Sequence, residues 1–132
     1  MPSISPEQLD ARAGNILIVD DNENMLELLR GILGNYENVR TVSSGMAAIR
    51  AARERRPDLI ILDIQMPDLD GLATCEIMRA DPRLAKVPII FLTARRDSET
   101  VVNCFKAGGS DFVAKPLRRW ELLLRVEEWL AR

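Results

Sequence analysis

N-I-L-I-V-D-D-N-E-N-M-L-E-L-L-R-G-I-L, residues 15–33, joins a short apolar run to an amphipathic repeat. Ile16, Leu17, Ile18 and Val19 form a continuous, β-rich apolar run, the pattern of a strand covered on both faces. Met25, Leu28, Leu29, Ile32 and Leu33 follow at i, i+3, i+4, i+7 and i+8, the spacing of a helix with one apolar stripe. Asp20, Asp21 and Asn22 stand between the two.

The couplet recurs four more times. A weaker strand at 39–42 precedes a helix over 45–54. A strand at 59–62 precedes a helix over 71–80. A strand at 87–92, broken by Pro88 near its start, precedes a helix over 98–107. A strand at 111–114 precedes a last helix over 119–131. Five strands alternating with five helices predict a doubly wound α/β domain with a parallel sheet and right-handed crossovers. The weakest strand, 39–42, reads as an edge. Residues 1–14 are polar, contain Pro2 and Pro6, and are expected as a flexible arm with room for one helical turn. The domain then runs over 15–132. The sequence ends just after the fifth helix, so no output domain is expected within it.

The 132 residues, 47% hydrophobic and 29% charged, suit one domain with its own core. A net charge of -2 argues against direct nucleic-acid binding, which wants a strongly basic face. Arg50, Arg53, Arg55 and Arg56 read as a solvated helix end whose cations suit the helix dipole. Cys75 and Cys104 form no C-x-x-C pair and are expected as free thiols in a reducing cytosol. No run reaches the roughly 18 apolar residues of a membrane span, and residues 1–14 lack the features of a secretory leader. A cytoplasmic location with no membrane contact is therefore expected. The chain contains no histidine. That excludes a phosphohistidine of its own, a His-based zinc site and a Ser-His-Asp triad.

In an open parallel sheet, ligands bind beyond the carboxyl ends of the strands. Asp20 and Asp21 follow the first apolar run, Asp63 the third, Thr93 the fourth, and Lys115 with Pro116 the fifth. After the second come Ser43 and Ser44, which read as helix caps. Taken singly, Asp20 or Asp21 is an N-cap, Asp63 begins a turn with Pro67, Thr93 closes a strand and Lys115 is a surface charge. Taken together they describe one rim. Like-charged carboxylates about 4 Å apart repel by roughly 1–4 kcal/mol per pair. A hard cation such as Mg²⁺ relieves this, since it takes oxygen ligands from one or two carboxylates plus phosphate. The set suits phosphoryl transfer to a carboxylate: an ionised nucleophile, a cation and a lysine for the equatorial oxygens, and a hydroxyl donor. Asp81, Asp97 and Asp111 fall outside this rim and read as caps or surface residues.

I-L-I-V-D-D at 16–21, L-I-I-L-D-I-Q-M-P-D-L-D-G at 59–71, P-I-I-F-L-T-A at 88–94 and D-F-V-A-K-P at 111–116 together resemble the receiver domain of bacterial two-component response regulators. The resemblance runs from about Asn15 to Ala131. It implies a flavodoxin-like (βα)5 fold with strand order 2-1-3-4-5. It implies that Asp63 is the phosphoacceptor. Asp21, Asp63 and the backbone carbonyl of Gln65 would ligate Mg²⁺, with Asp20 acting mostly through a bound water. Lys115 would pair with the aspartate and then the phosphate, and Thr93 would be the switch hydroxyl. Ala94 matches the small residue beside it, and the Lys115–Pro116 peptide is cis in that family. Phe112 falls at the switch aromatic, without the hydroxyl of the common Tyr; core packing is the other reading of this ring. Gln65 and Arg95 fall where the family tunes phosphoryl lifetime.

The partners implied are a histidine kinase or histidine phosphotransfer protein, and a downstream effector met through the fourth helix, fifth strand and fifth helix. Homodimerisation is left open. The chain is read as a switch rather than an enzyme. Two other readings stand beside this one. The first is an aspartate-nucleophile, Mg²⁺-dependent phosphatase, though that class carries D-x-D at its first strand. The second is an interaction module that works without phosphorylation.

Overall fold

The computed structural model describes residues 12–132. The elements alternate as β1 (Arg12–Val19), α1 (Glu23–Leu33), β2 (Tyr36–Val42), α2 (Gly45–Glu54), β3 (Leu59–Asp63), α3 (Gly71–Ala80), β4 (Ile89–Thr93), α4 (Ser98–Lys106), β5 (Asp111–Ala114) and α5 (Arg119–Leu130). The strands form one parallel sheet in the order β2-β1-β3-β4-β5. This is the flavodoxin-like arrangement, with β2 at an edge as its weak apolar pattern predicts. The expected arm falls mostly on residues 1–11, outside the described residues. Its last three positions, Arg12, Ala13 and Gly14, belong to β1. Strand β2 also starts earlier than its apolar run, at Tyr36, because the mixed residues before Val39 still pair with β1.

Strands β3 and β4 are buried along their whole length, so alternate side chains feed two cores. Leu17, Val19, Ile60, Leu62, Ile89 and Phe91 pack with Ala48, Ile49 and Ala52 of α2, Cys75 and Met78 of α3 and Cys104 of α4. Ile16, Ile18, Leu59, Ile61, Ile90 and Leu92 pack with α1 and with Leu122 and Val126 of α5. Helix α1 is rotated relative to the expected stripe. Leu26, Leu29, Ile32 and Leu33 face the sheet, while Leu28 is 49% exposed. The residues at i, i+3 and i+7 from Leu26 trace the inward line, and Leu28 lies on its flank.

Helix starts are fixed by short polar side chains. Asn22, Ser44, Asp70 and Asp97 accept from the backbone N–H of Met25, Ala47, Ala73 and Thr100. At the amino ends of β4 and β5, Arg79 ties α3 to two loops. Its guanidinium donates to the carbonyls of Leu84, Val87 and Gly108, and to Ser110 Oγ.

Candidate functional site

Strand register assembles the rim. Val19 pairs with Leu62, Asp63 with Leu92 and Thr93 with Ala114. The residues at and just past these positions, Asp20, Asp63, Thr93 and Lys115, therefore reach the same level of the sheet. They line a cleft of about 190 Å³ with Asp21, Asn22, Ile64, Gln65 and Ala94. Because Asn22 caps α1, neither Asp20 nor Asp21 is used as its cap. Both keep their carboxylates for the cleft.

One carboxylate oxygen from each of Asp20, Asp21 and Asp63 lies within 4.8 Å of the others. Asp20 and Asp63 are buried, and Asp21 is exposed at the mouth. Lys115 Nζ donates to Asp63 Oδ1 at 3.0 Å and forms an ion pair with Asp20 Oδ2 at 3.6 Å. The second contact is too long for a hydrogen bond, so Asp20 Oδ2 is buried without one. Asp20 Oδ1 accepts from the Asn22 N–H at 2.9 Å. One ammonium thus faces three carboxylates, and the cleft carries an excess of negative charge. Burial pushes the carboxyl of Asp63 above its ordinary value. The Lys115 hydrogen bond opposes that shift, and the charge of Asp20 adds to it.

Thr93 is buried at the end of β4. Its hydroxyl donates to the Arg95 carbonyl at 3.1 Å and accepts from the Arg95 N–H at 3.0 Å. Arg95 pairs in turn with Asp97 at 2.9 Å, and Asp97 caps α4. The residue beside the cleft is therefore linked to the start of α4, a connection that sequence spacing alone does not carry. The Lys115–Pro116 peptide is cis.

Phe112 is half-buried and packs on the core below α4, edge-on to Phe105 with ring centroids 6.4 Å apart. It touches both the core and the α4–β5–α5 surface. Gln65 lines the cleft beside Asp63.

Asp81 and Asp97 sit at helix ends and in surface ion pairs, as expected. Asp111 does not fit its expected place as a cap or surface residue. Its side chain is largely covered: Oδ2 accepts from the Trp129 indole at 3.0 Å and from Arg125 at 3.4 Å, and Oδ1 accepts from the Phe112 N–H. It fastens α5 to the start of β5. The signal was present as an acid in β5 and a Trp in the last turn of α5, but only the sheet topology brings them together. Cys75 and Cys104 are free and buried.

The family model described as the response regulator receiver domain matches residues 16–127. The DNA-binding response regulator MtrA of Mycolicibacterium smegmatis is 38% identical over 125 residues, which is 94% of this chain and 54% of that protein. The chain thus spans about half the length of the curated relatives it matches. Among solved structures, a protein provisionally described as a response regulator from Chloroflexus aurantiacus J-10-fl superposes with a TM-score of 0.86 at 36% identity, covering 92% of this chain and 100% of that one. The receiver domain of the sensor histidine kinase PA1611 from Pseudomonas aeruginosa PAO1, solved with magnesium coordinated in its active-site cleft, superposes with a TM-score of 0.85 at 34% identity. That match covers 92% of this chain and 100% of that one. Among the described residues, no helix is long and apolar enough to cross a membrane.

Proposed function

The chain belongs to the response regulator receiver domain family, and from that membership we propose that Asp63 takes a phosphoryl group from the phosphohistidine of a histidine kinase or histidine phosphotransfer protein. One observation carries the reading: three carboxylates within 4.8 Å of one another face a single ammonium, and Asp20 Oδ2 is buried without a hydrogen bond. That donor set fits a hard divalent cation. Asp21 and Asp63 with the backbone carbonyl of Gln65 would hold Mg²⁺, and Asp20 would act through an intervening water. When bound, Mg²⁺ supplies the positive charge that offsets the acidic cluster and the incoming phosphoryl oxygens.

The chain's own groups do the rest. Asp63, buried at the end of β3, presents a carboxylate oxygen to phosphorus. An O–P bond forms, the N–P bond of the donor imidazole breaks, and its electron pair stays on the nitrogen. Lys115 holds the carboxylate in place beforehand, and its ammonium is close enough to follow the new negative charge. Ala94 leaves the entrance unobstructed. Thr93 can turn its hydroxyl from the Arg95 carbonyl to a phosphoryl oxygen, at the cost of its two bonds to Arg95. That exchange loosens the α4 end of the sheet and lets Phe112 re-pack, so the α4–β5–α5 face changes its affinity for an effector.

On this reading the chain is a cytoplasmic signalling switch, and it turns over no separate substrate. With a net charge of -2, this stretch is assigned no direct contact with nucleic acid. The relative named as DNA-binding is matched over only 54% of its length. The test is intact-mass analysis after acetyl phosphate and Mg²⁺. One added phosphoryl group is expected, absent without Mg²⁺ and absent in Asp63→Asn. A protein that stays unmodified, or an Asp63→Asn variant labelled equally well, overturns the reading.

A further inference from the structure

We propose that a recess at the amino end of the sheet binds a nucleoside phosphate, independently of phosphorylation at Asp63. The recess holds about 520 Å³, within the range of small-molecule sites. Four segments converge on it: the start of β1, the stretch from Arg56 to Asp58 that leads into β3, the α3–β4 loop through Lys86 and Pro88, and the last turn of α5 through Trp129. The acidic cleft lies at the opposite end of the same sheet. The net charge of -2 therefore averages over two unlike ends.

Arg56, Lys86 and Arg132 bring three cations to the recess, and among the described residues Asp58 is the one acidic side chain that lines it. That carboxylate is already engaged. Asp58 Oδ2 accepts from the Asn15 N–H at 2.9 Å, and the Asp58 N–H donates to the Asn15 carbonyl at 2.8 Å. The three cations are exposed, and among the described residues no carboxylate lies within ion-pair distance of any of them. Arg56 Nε donates to the Arg83 carbonyl at 2.9 Å, which steadies the guanidinium and leaves its terminal N–H groups for a ligand. A guanidinium fork with a lysine beside it suits phosphate oxygens. A bare phosphate ion would leave most of the volume empty, and the rest of the wall suits a flat organic body. The indole N–H of Trp129 donates to Asp111 at 3.0 Å, which fixes the ring. The Arg132 guanidinium lies over that ring, 4.4 Å from its centroid. A base laid on this guanidinium extends the stack, and Pro88 and Leu130 add apolar contact.

The experiment is a proton and phosphorus NMR titration of the full chain with ADP, adenosine and inorganic phosphate. It is run in chelator, so that no divalent ion draws a phosphate to the acidic cleft. ADP is expected to bind with a Kd of about 1 mM or tighter, and about tenfold more tightly than adenosine or phosphate. The Arg56→Glu/Lys86→Glu variant should lose about tenfold or more in ADP affinity. It should still unfold at the parent's temperature and take up phosphoryl from acetyl phosphate with Mg²⁺, since both side chains lie far from the cleft. Arg132→Ala, a second variant at an exposed position, should narrow the gap between ADP and phosphate. Asp63→Asn should bind ADP as the parent does. No binding of ADP at millimolar concentration, phosphate bound as tightly as ADP, or a folded double variant of unchanged affinity overturns the proposal. Loss of ADP binding in Asp63→Asn overturns it too, by placing the nucleotide in the acidic cleft.

Discussion

Gly71 packs its bare Cα against the backbone carbonyl of Asp63. A Cβ added at Gly71 would collide with the Asp63 carbonyl oxygen and stand 2.8 Å from Ile64 Cα. Its N–H also donates to the Ile64 carbonyl at 2.7 Å. The obstructing atoms are backbone and cannot rotate aside. Gly71→Ala is therefore expected to cost about 1–3 kcal/mol by overpacking and to tilt the acceptor carboxylate. Thermal unfolding and the rate of acetyl phosphate uptake should both fall. A variant that matches the parent in both would contradict the account of how Asp63 is held.

The pH response of Asp63 has a definite sign in protein stripped of divalent ions. Its carboxyl is raised by burial, so the folded state holds that proton more firmly than the unfolded chain does. This contribution to stability is present below the ordinary carboxylate range and is lost as pH rises through the folded value. At neutral pH in chelator, Asp63→Asn should melt above the parent, and the gap should close below about pH 4. Adding Mg²⁺ should reverse the order, because binding at a hundredfold excess over Kd stabilises the parent by about 2.7 kcal/mol. A parent that melts above Asp63→Asn in chelator would contradict the crowded acidic cleft.

Replacing Asp111 with Ala removes the acceptor of the Trp129 indole and strands a partly covered N–H. A loss of about 1–3 kcal/mol is expected, with a red shift in tryptophan emission as α5 lifts from β5. Asp111→Asn, which keeps one acceptor oxygen, should recover part of it. Unchanged stability and emission in Asp111→Ala would mean the contact is incidental.

The two thiols offer a simple check on the core. Burial pushes the Cys75 thiol up to about 11, and Cys104 is raised by the same cause. Neither should react with a disulfide reagent at neutral pH in the native protein, and both should react in denaturant. Rapid labelling of the folded protein would place a thiol at the surface.

Element type and order were legible because each strand is a short apolar run and each helix carries its own period. The five polar groups of the rim were legible for a related reason: each lies at or just after the end of such a run. The facing of α1 was not, since Leu26 and Leu28 are equally apolar and only the packed sheet selects between them. Asp111 escaped for a different cause. Its partners Arg125 and Trp129 lie 14 and 18 residues away, and no local pattern joins them. The link from Thr93 through Arg95 to Asp97 depends on a loop conformation that composition leaves undetermined.

Arg79 gives the sheet an unequal pair of ends. The oxygens it clamps are amide carbonyls and one hydroxyl, none of which ionises. The segments leading into β4 and β5 are thus held at Arg79 through neutral oxygens that acid leaves unchanged, whereas the carboxyl ends depend on charges that a single phosphate rearranges. A phosphate there acts at the end of the sheet that Arg79 leaves unclamped, where Thr93 of β4 lies in register with Ala114 of β5.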